Sequence, residues 1–155
     1  NNADIPTTTV VTQLTASTVG VGWWLAEYWV IWQSNVATTG ITFILQHTGT
    51  AANFQSSRED IVSSTTALAT TGVSDGEPAT LVVGFLPSNW TRRANNVALG
   101  PNAGVRVINV NERSRIEALF LVTVSGDLLL QANSEIASTI TRVCAGTTAR
   151  YTRLS

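Results

Sequence analysis

His47 and Cys144 are the only histidine and the only cysteine in the chain. A conventional zinc site draws on three or four nitrogen and sulfur ligands, so this pair excludes one. A single thiol also excludes an internal disulfide framework. His47 closes an apolar run and stands before Thr48-Gly49. A catalytic histidine needs a nucleophile and an orienting acid beside it, and the chain has no G-x-S-x-G turn to present a nucleophile. His47 is therefore read as a surface or interface residue. Cys144 lies among apolar strand residues and is read as a small buried side chain.

The carboxylates follow the same direction. Glu59 and Asp60 are adjacent, so on a strand they point to opposite faces. Glu112 and Glu117 flank Arg113 and Arg115, a spacing that suits ion pairing rather than acid–base work. A glycosidase pair assembled across strands has nothing in the spacing to favour it. Asp75-Gly76-Glu77 offers too few oxygens for a dedicated Ca²⁺ site and reads as a turn. Gly20-Val21-Gly22 precedes a strand instead of a helix, so it is no dinucleotide fingerprint. The expectation is a protein that is not an enzyme and carries neither cofactor nor metal.

One cluster suits a ligand better than a reaction. Trp90, Arg92 and Arg93 combine an aromatic face with planar cations, as single-strand nucleic-acid sites do. With one Arg pair the nucleic-acid reading is weak, and the same residues are kept as a candidate ligand or receptor contact. Asn89-Trp90-Thr91 also fits the N-glycosylation pattern.

The composition narrows the class further. The chain has 155 residues, 12% of them charged, with a net charge of −1. That charge lacks the basic footprint of a nucleic-acid binder. No apolar run approaches the ~20 residues of a membrane helix. Polarity is carried by 23 Thr, 13 Ser and 11 Asn; all nine basic residues are Arg. The size is that of one domain, and scaling gives about 7,500 Å² of folded surface from roughly 24,000 Å² unfolded, enough to bury a core without staples. The first residue is Asn, which reads as a trimmed chain or part of a longer one.

Val and Thr favour strands over helices. Apolar stretches alternate with Gly, Pro, Asn, Asp and Ser clusters, which predicts an all-β, antiparallel β-sandwich. Strands are expected at residues 7–16, 23–34, 41–47, 60–68, 80–85, 105–110, 115–124, 128–133, 139–144 and 149–154. Ser125-Gly126-Asp127 reads as a tight hairpin turn, Ser74–Pro78 as another turn, and 95–104 as a loop. Residues 58–68 have an alternative helical reading, with Ser56-Ser57 as cap, opposed by four consecutive hydroxyl residues. Residues 1–9 form a polar amino-terminal arm and 10–155 a single sandwich domain.

Two of these strands are apolar on both faces. In 23–34, Trp24, Tyr28 and Trp32 share one face with Ala26 and Val30; Trp29 shares the other with Trp23, Leu25, Glu27 and Ile31. In 115–124, Phe120 lies on a wholly apolar face, while Leu119 and Leu121 follow Arg115 and Glu117 on the other. An ordinary antiparallel sandwich strand keeps one polar face. The second face is expected to be covered by another subunit, since aromatic residues are enriched at interface centres, with a loop of the same chain as the alternative cover. The candidate subunit interface is Trp24, Tyr28, Trp29, Trp32, Leu119, Phe120 and Leu121.

Two stretches carry a family resemblance. Trp32-Gln33-Ser34-Asn35-Val36-Ala37-Thr38-Thr39-Gly40-Ile41 resembles an aromatic-Gln-Ser-Ala-x-Thr-Thr-Gly-apolar pattern. Arg115-Ile116-Glu117-Ala118-Leu119, then Gly126-Asp127-Leu128-Leu129-Leu130-Gln131, Ser134-Glu135 and Ala145-Gly146-Thr147 before Arg150 and Leu154, is similar to the same family's ending. The family is the small structural domains of tailed bacteriophages found in head decoration, fibre and tail proteins. Ala118 stands where Gly is common there, Trp23-Trp24 is more aromatic than usual, and 59–104 has no counterpart. The resemblance implies a jelly-roll β-sandwich, assembled as a homotrimer on a virion, whose partners are its own copies and the major capsid or another virion protein. It implies capsid decoration, cement or head-fibre work, with no nucleic acid and no membrane. The amino-terminal arm would then reach a neighbouring subunit or the shell. Two further expectations stand beside this one: a receptor- or glycan-binding module at a fibre tip, and a jelly-roll capsid subunit of a small virus.

Overall fold

A computed structural model describes residues 3–5, 8–36, 39–62, 84–86, 93–100 and 108–155. All regular structure in them is β, in two antiparallel sheets. The larger sheet holds β1 (Ala3–Ile5), β3 (Gly22–Ser34), β5 (Thr50–Val62), β6 (Gly84–Leu86), β8 (Glu112–Val124), β10 (Thr141–Val143) and β11 (Thr148–Arg153). Its order is β1-β10-β3-β8-β5-β6, with β11 on the same edge of β3 as β10. The smaller sheet, in the order β2-β9-β4-β7, holds β2 (Val11–Val19), β4 (Ile41–His47), β7 (Ala98–Leu99) and β9 (Gly126–Ser134).

The alternation in the sequence selects the inner face. Ala26, Tyr28, Val30 and Trp32 of β3 and Ile116, Ala118, Phe120 and Val122 of β8 are buried. They pack with Ile41, Phe43, Leu45, Leu128, Leu130 and Ala132 of the smaller sheet in one core. Each fully buried large apolar side chain contributes about 1.5–3 kcal/mol.

The layers are joined at one end by very short passages. Gly20-Val21 links β2 to β3, Thr48-Gly49 links β4 to β5, and Ser125 alone links β8 to β9. The Ser125 turn is therefore a corner between sheets and not the expected hairpin: β8 pairs with β3 and β5, while β9 pairs with β2 and β4. Two corners interlock. Thr48 N donates to Asp127 O at 2.9 Å, and Asp127 N donates to Thr48 Oγ1 at 2.8 Å. A Cβ on Gly126 would lie 2.3 Å from Gly49 N, so only glycine fits that crossing.

β5 departs most from expectation. It begins at Thr50, ten residues before the expected strand, and runs as strand through Val62, which removes the helical reading for 58–62. Phe54, Ser56, Arg58 and Asp60 all turn inward and are buried. Arg58 Nη1 donates to Ile41 O at 2.7 Å and Leu99 O at 3.2 Å, across the gap to the smaller sheet, and Nε donates to Asp60 Oδ1 at 2.8 Å. Ser114 Oγ donates to the same Asp60 oxygen at 2.5 Å and accepts from Trp32 Nε1 at 3.0 Å.

Residues 108–110 form a turn and its exit rather than strand. Ala3–Ile5, inside the stretch read as a free arm, pairs with β10 and buries Ile5. Residues 63–68, 80–83 and 105–107 of the expected strands and the Ser74–Pro78 turn lie outside the described residues.

Candidate functional site

The outward face of the larger sheet gathers charge in its middle. The register sets Arg150, Glu27, Glu117 and Ser57 side by side across β11, β3, β8 and β5. One step along, Trp29, Arg115 and Glu59 form the next row. Glu27 and Glu117 thus stand directly opposite, an arrangement that like charges disfavour. Arg115 resolves it by bonding both carboxylates, to Glu27 at 3.3 Å and to Glu117 more closely. Arg150 supplies the second cation: its Nε donates to Glu27 Oε2 at 2.7 Å while its guanidinium lies over the Trp29 ring, 5.8 Å from the centroid.

Glu27 is the unusual member, a carboxylate on an outward sheet face that is only 4% exposed. The bond from Arg150 holds its carboxyl below the usual range; burial opposes this and Arg115 adds to it. Arg150 and Arg115 both stay partly in water.

Toward the corner end the same face is apolar. Leu25 pairs with Leu119 and Trp23 with Leu121. Trp29 and Leu119 are both 38% exposed, and they are the large apolar side chains left open to solvent within the middle of a described strand. The outward face of the smaller sheet differs: its paired residues Thr42, Ile44, Gln46, Leu129, Gln131, Thr12 and Thr15 are uncharged, while Asp127 at the corner end of β9 is in step with Leu129 and accepts from Thr18 N.

The seven candidate interface residues divide accordingly. Tyr28, Trp32 and Phe120 are taken up by the chain's own core. Trp24 is half-buried against that core, its Nε1 donating to Gly20 O at 2.7 Å. Trp29, Leu119 and Leu121 lie on the outward face, which the structure brings together with the ion cluster. Of the candidate ligand contacts, Trp90 and Arg92 lie outside the described residues; Arg93 makes a backbone bridge to Ser56.

The residues considered for chemistry are dispersed. His47 is buried at the corner, its ring 6.1 Å from Phe120, and neither ring nitrogen has a hydrogen-bond partner. Cys144 is buried. Glu59 and Asp60 face opposite sides, and the expected Arg115–Glu117 ion pair is present. Among the described residues no group of three His, Cys, Asp or Glu side chains could hold a metal ion. A recess of about 80 Å³ beside Gln33, Asn35, Asn109, Ile140 and Arg142 is far below the volume of a small-molecule site.

Sequence reasoning missed the ion cluster because its members are distant in the chain; Glu27 and Arg150 are 123 residues apart. The available signal was a lone glutamate inside a Trp-rich strand.

Comparison with protein families, with curated proteins and with solved structures finds no match for this chain.

Proposed function

We propose that this protein is a bacteriophage virion structural subunit, for capsid decoration, cement or a head fibre, that works by protein–protein assembly as a homotrimer. The observation that carries the reading is the apolar corner-end half of the outward face of β3 and β8, where Leu25 pairs with Leu119, Trp23 pairs with Leu121 and Leu119 is 38% exposed. A contiguous apolar patch on a folded surface suits contact with another chain, and obligate interfaces usually bury above about 2,000 Å². The large outward side chains sit on rigid, centrally paired strands, as a permanent contact requires.

Strand order supports a jelly roll. Four strands run β2-β9-β4-β7 and four run β3-β8-β5-β6, and the chain changes sheet between β2 and β3, β4 and β5, and β8 and β9. This is how two Greek keys wrap a double sheet. The virion assignment rests on the sequence resemblance to small tailed-phage structural domains. The alternative, a glycan- or receptor-binding fibre-tip module, draws on Trp90, Arg92 and Arg93.

Light scattering of the purified chain at micromolar concentration tests the assembly: a mass three times the 16.5 kDa monomer is expected, and a stable monomer overturns it. Electron microscopy of particles with the subunit labelled tests the virion placement. A glycan array that binds the protein through the Trp90 segment would favour the fibre-tip alternative.

A further inference from the structure

We infer that the free edge of β11 is a docking site for an extended segment of a partner protein. The segment adds as an antiparallel strand and carries an acidic residue followed by apolar residues two and four positions later. This contact lies at the side of the sandwich and goes beyond the assembly reading above.

The short corner passages stack β2 over β3, β9 over β8 and β4 over β5. The edge strand β2 and the edge made by β10 and β11 therefore lie along the same side of the sandwich. The two halves of that side differ. Beside β10 the edge is filled: β1 pairs with Thr141–Val143, and Ile5 is fully buried. Beside β11 no further strand follows among the described residues. There the inward side chains Ala149 and Tyr151 of β11 and Leu14 and Ala16 of β2 pack on the core yet stay partly open. Val11, in the same inward row, is 38% exposed. The gap that Ile5 closes beside β10 is open beside β11.

Three observations specify the occupant. The first is the backbone. Leu154 N donates to Trp23 O at 2.8 Å, so by antiparallel alternation the amides and carbonyls of Arg153, Tyr151 and Ala149 point away from β3. Such a row is a template for an added strand. β11 also pairs in unbroken register, whereas two register shifts interrupt the other edge strand, β2. The second is the pair Ala149 and Tyr151, which apolar side chains on a facing strand would cover. The third is charge. Arg153 is exposed and in step with Tyr151; it donates to Val21 O at 2.8 Å and to Ser155 O at 3.3 Å. A guanidinium has five N–H donors, so it can hold a carboxylate as well. An antiparallel strand passes Arg153 first, Tyr151 second and Ala149 third, which sets the order acid-x-apolar-x-apolar. The chain's own β1 uses the same chemistry on the adjoining edge. Arg142 donates to both oxygens of Asp4, and the next residue, Ile5, turns into the core.

The test uses the full-length protein and two fluorescein-labelled peptides, Asp-Thr-Val-Thr-Val-Thr and the same peptide with Lys for Asp. Binding is read by fluorescence anisotropy. The parent is expected to bind the Asp peptide more tightly than about 1 mM, and the Lys peptide at least about tenfold more weakly. Arg153→Glu should reverse that preference. Ala149→Pro removes one edge amide where an edge strand accepts proline, and should abolish binding of both peptides with an unchanged circular dichroism spectrum. If Ala149→Pro misfolds, the Arg153→Glu reversal decides. Hydrogen exchange at the amides of Ala149, Tyr151 and Arg153 should slow when the Asp peptide is added. No binding, equal binding of the two peptides, or protection that appears on β2 instead overturns the proposal. Amides of β11 already protected in a protein that sediments as an oligomer make a second copy the occupant, which overturns the partner assignment.

Discussion

Arg58 donates from Nε to Asp60 Oδ1 at 2.8 Å, two residues apart on β5, with both side chains sealed between the sheets. The pair ties the layers together, because the same guanidinium bonds carbonyls of β4 and β7 and lies 4.8 Å from the Phe43 ring centroid. Removing one partner strands the other. Asp60→Ala leaves a buried cation and takes the acceptor from Ser114, so it should lower unfolding free energy by about 3–5 kcal/mol. The double variant Arg58→Met/Asp60→Leu removes both charges and should recover most of that loss. Urea unfolding followed by tryptophan fluorescence reads both; an Asp60→Ala loss under about 1 kcal/mol would mean the pair is dispensable.

Gly49 and Gly126 occupy each other's space. A Cβ on Gly49 would meet Val124 O at 2.3 Å, and one on Gly126 would meet Gly49 N at 2.3 Å. Backbone cannot yield as a flexible side chain does, so Gly49→Ala and Gly126→Ala should each cost about 2 kcal/mol or more. Both substitutions force the same corner apart. The double variant should therefore cost less than the sum of the singles, and thermal melts of the four proteins give the coupling. Strict additivity would show that the two crossings are independent.

Those corners mark the boundary of what the sequence could reveal. The period-two sets of β3 and β8 were legible, but which set faces inward was not, because both carry large apolar side chains: Tyr28, Trp32 and Phe120, read from sequence as a subunit contact, are buried in the chain's own core. β5 was not legible, because its inward residues Ser56, Arg58 and Asp60 are as polar as its outward Gln55, Ser57 and Glu59. Alternation carries no signal where buried polar groups satisfy one another across sheets. Ser125-Gly126-Asp127 has hairpin chemistry, yet which strands flank a turn in space depends on partners elsewhere in the chain. The outward apolar residues of the candidate face were visible in sequence; the cluster that accompanies them depends on pairing between β3, β8 and β11.

Cys144 is buried, and burial pushes its thiol up, with Arg142 acting against it and Asp4 adding to it. The thiolate is the reactive form, so the native protein should resist thiol reagents. Labelling with a chromogenic disulfide at about pH 8, near the ordinary thiol pKa, should be slow in buffer and complete within minutes in denaturant. A native rate matching that of the unfolded chain would place Cys144 on an opening segment instead.

His47 gives the fold a dependence on acid. It is 2% exposed, and burial holds its imidazole below the ordinary value of 6.5. The backbone of Gly49, Gly126 and Val19 and the Asp127 carboxylate oppose that effect without overcoming it. The unfolded chain therefore binds a proton on this ring at a higher pH than the folded one. Stability is full above about pH 6.5 and declines as pH falls toward the folded value, with a slope of at most about 1.4 kcal/mol per pH unit from one proton. Glu27 and Asp4 are held low by arginines, so their contributions are present above their unfolded values of 4.5 and 3.8 and are lost at more acid pH. The two losses begin at different pH, the histidine's first. Urea midpoints between about pH 7 and pH 5 should fall for the parent and stay level for His47→Phe, whose ring keeps the contact with Phe120. An equal slope in both proteins would assign the acid response to groups other than His47.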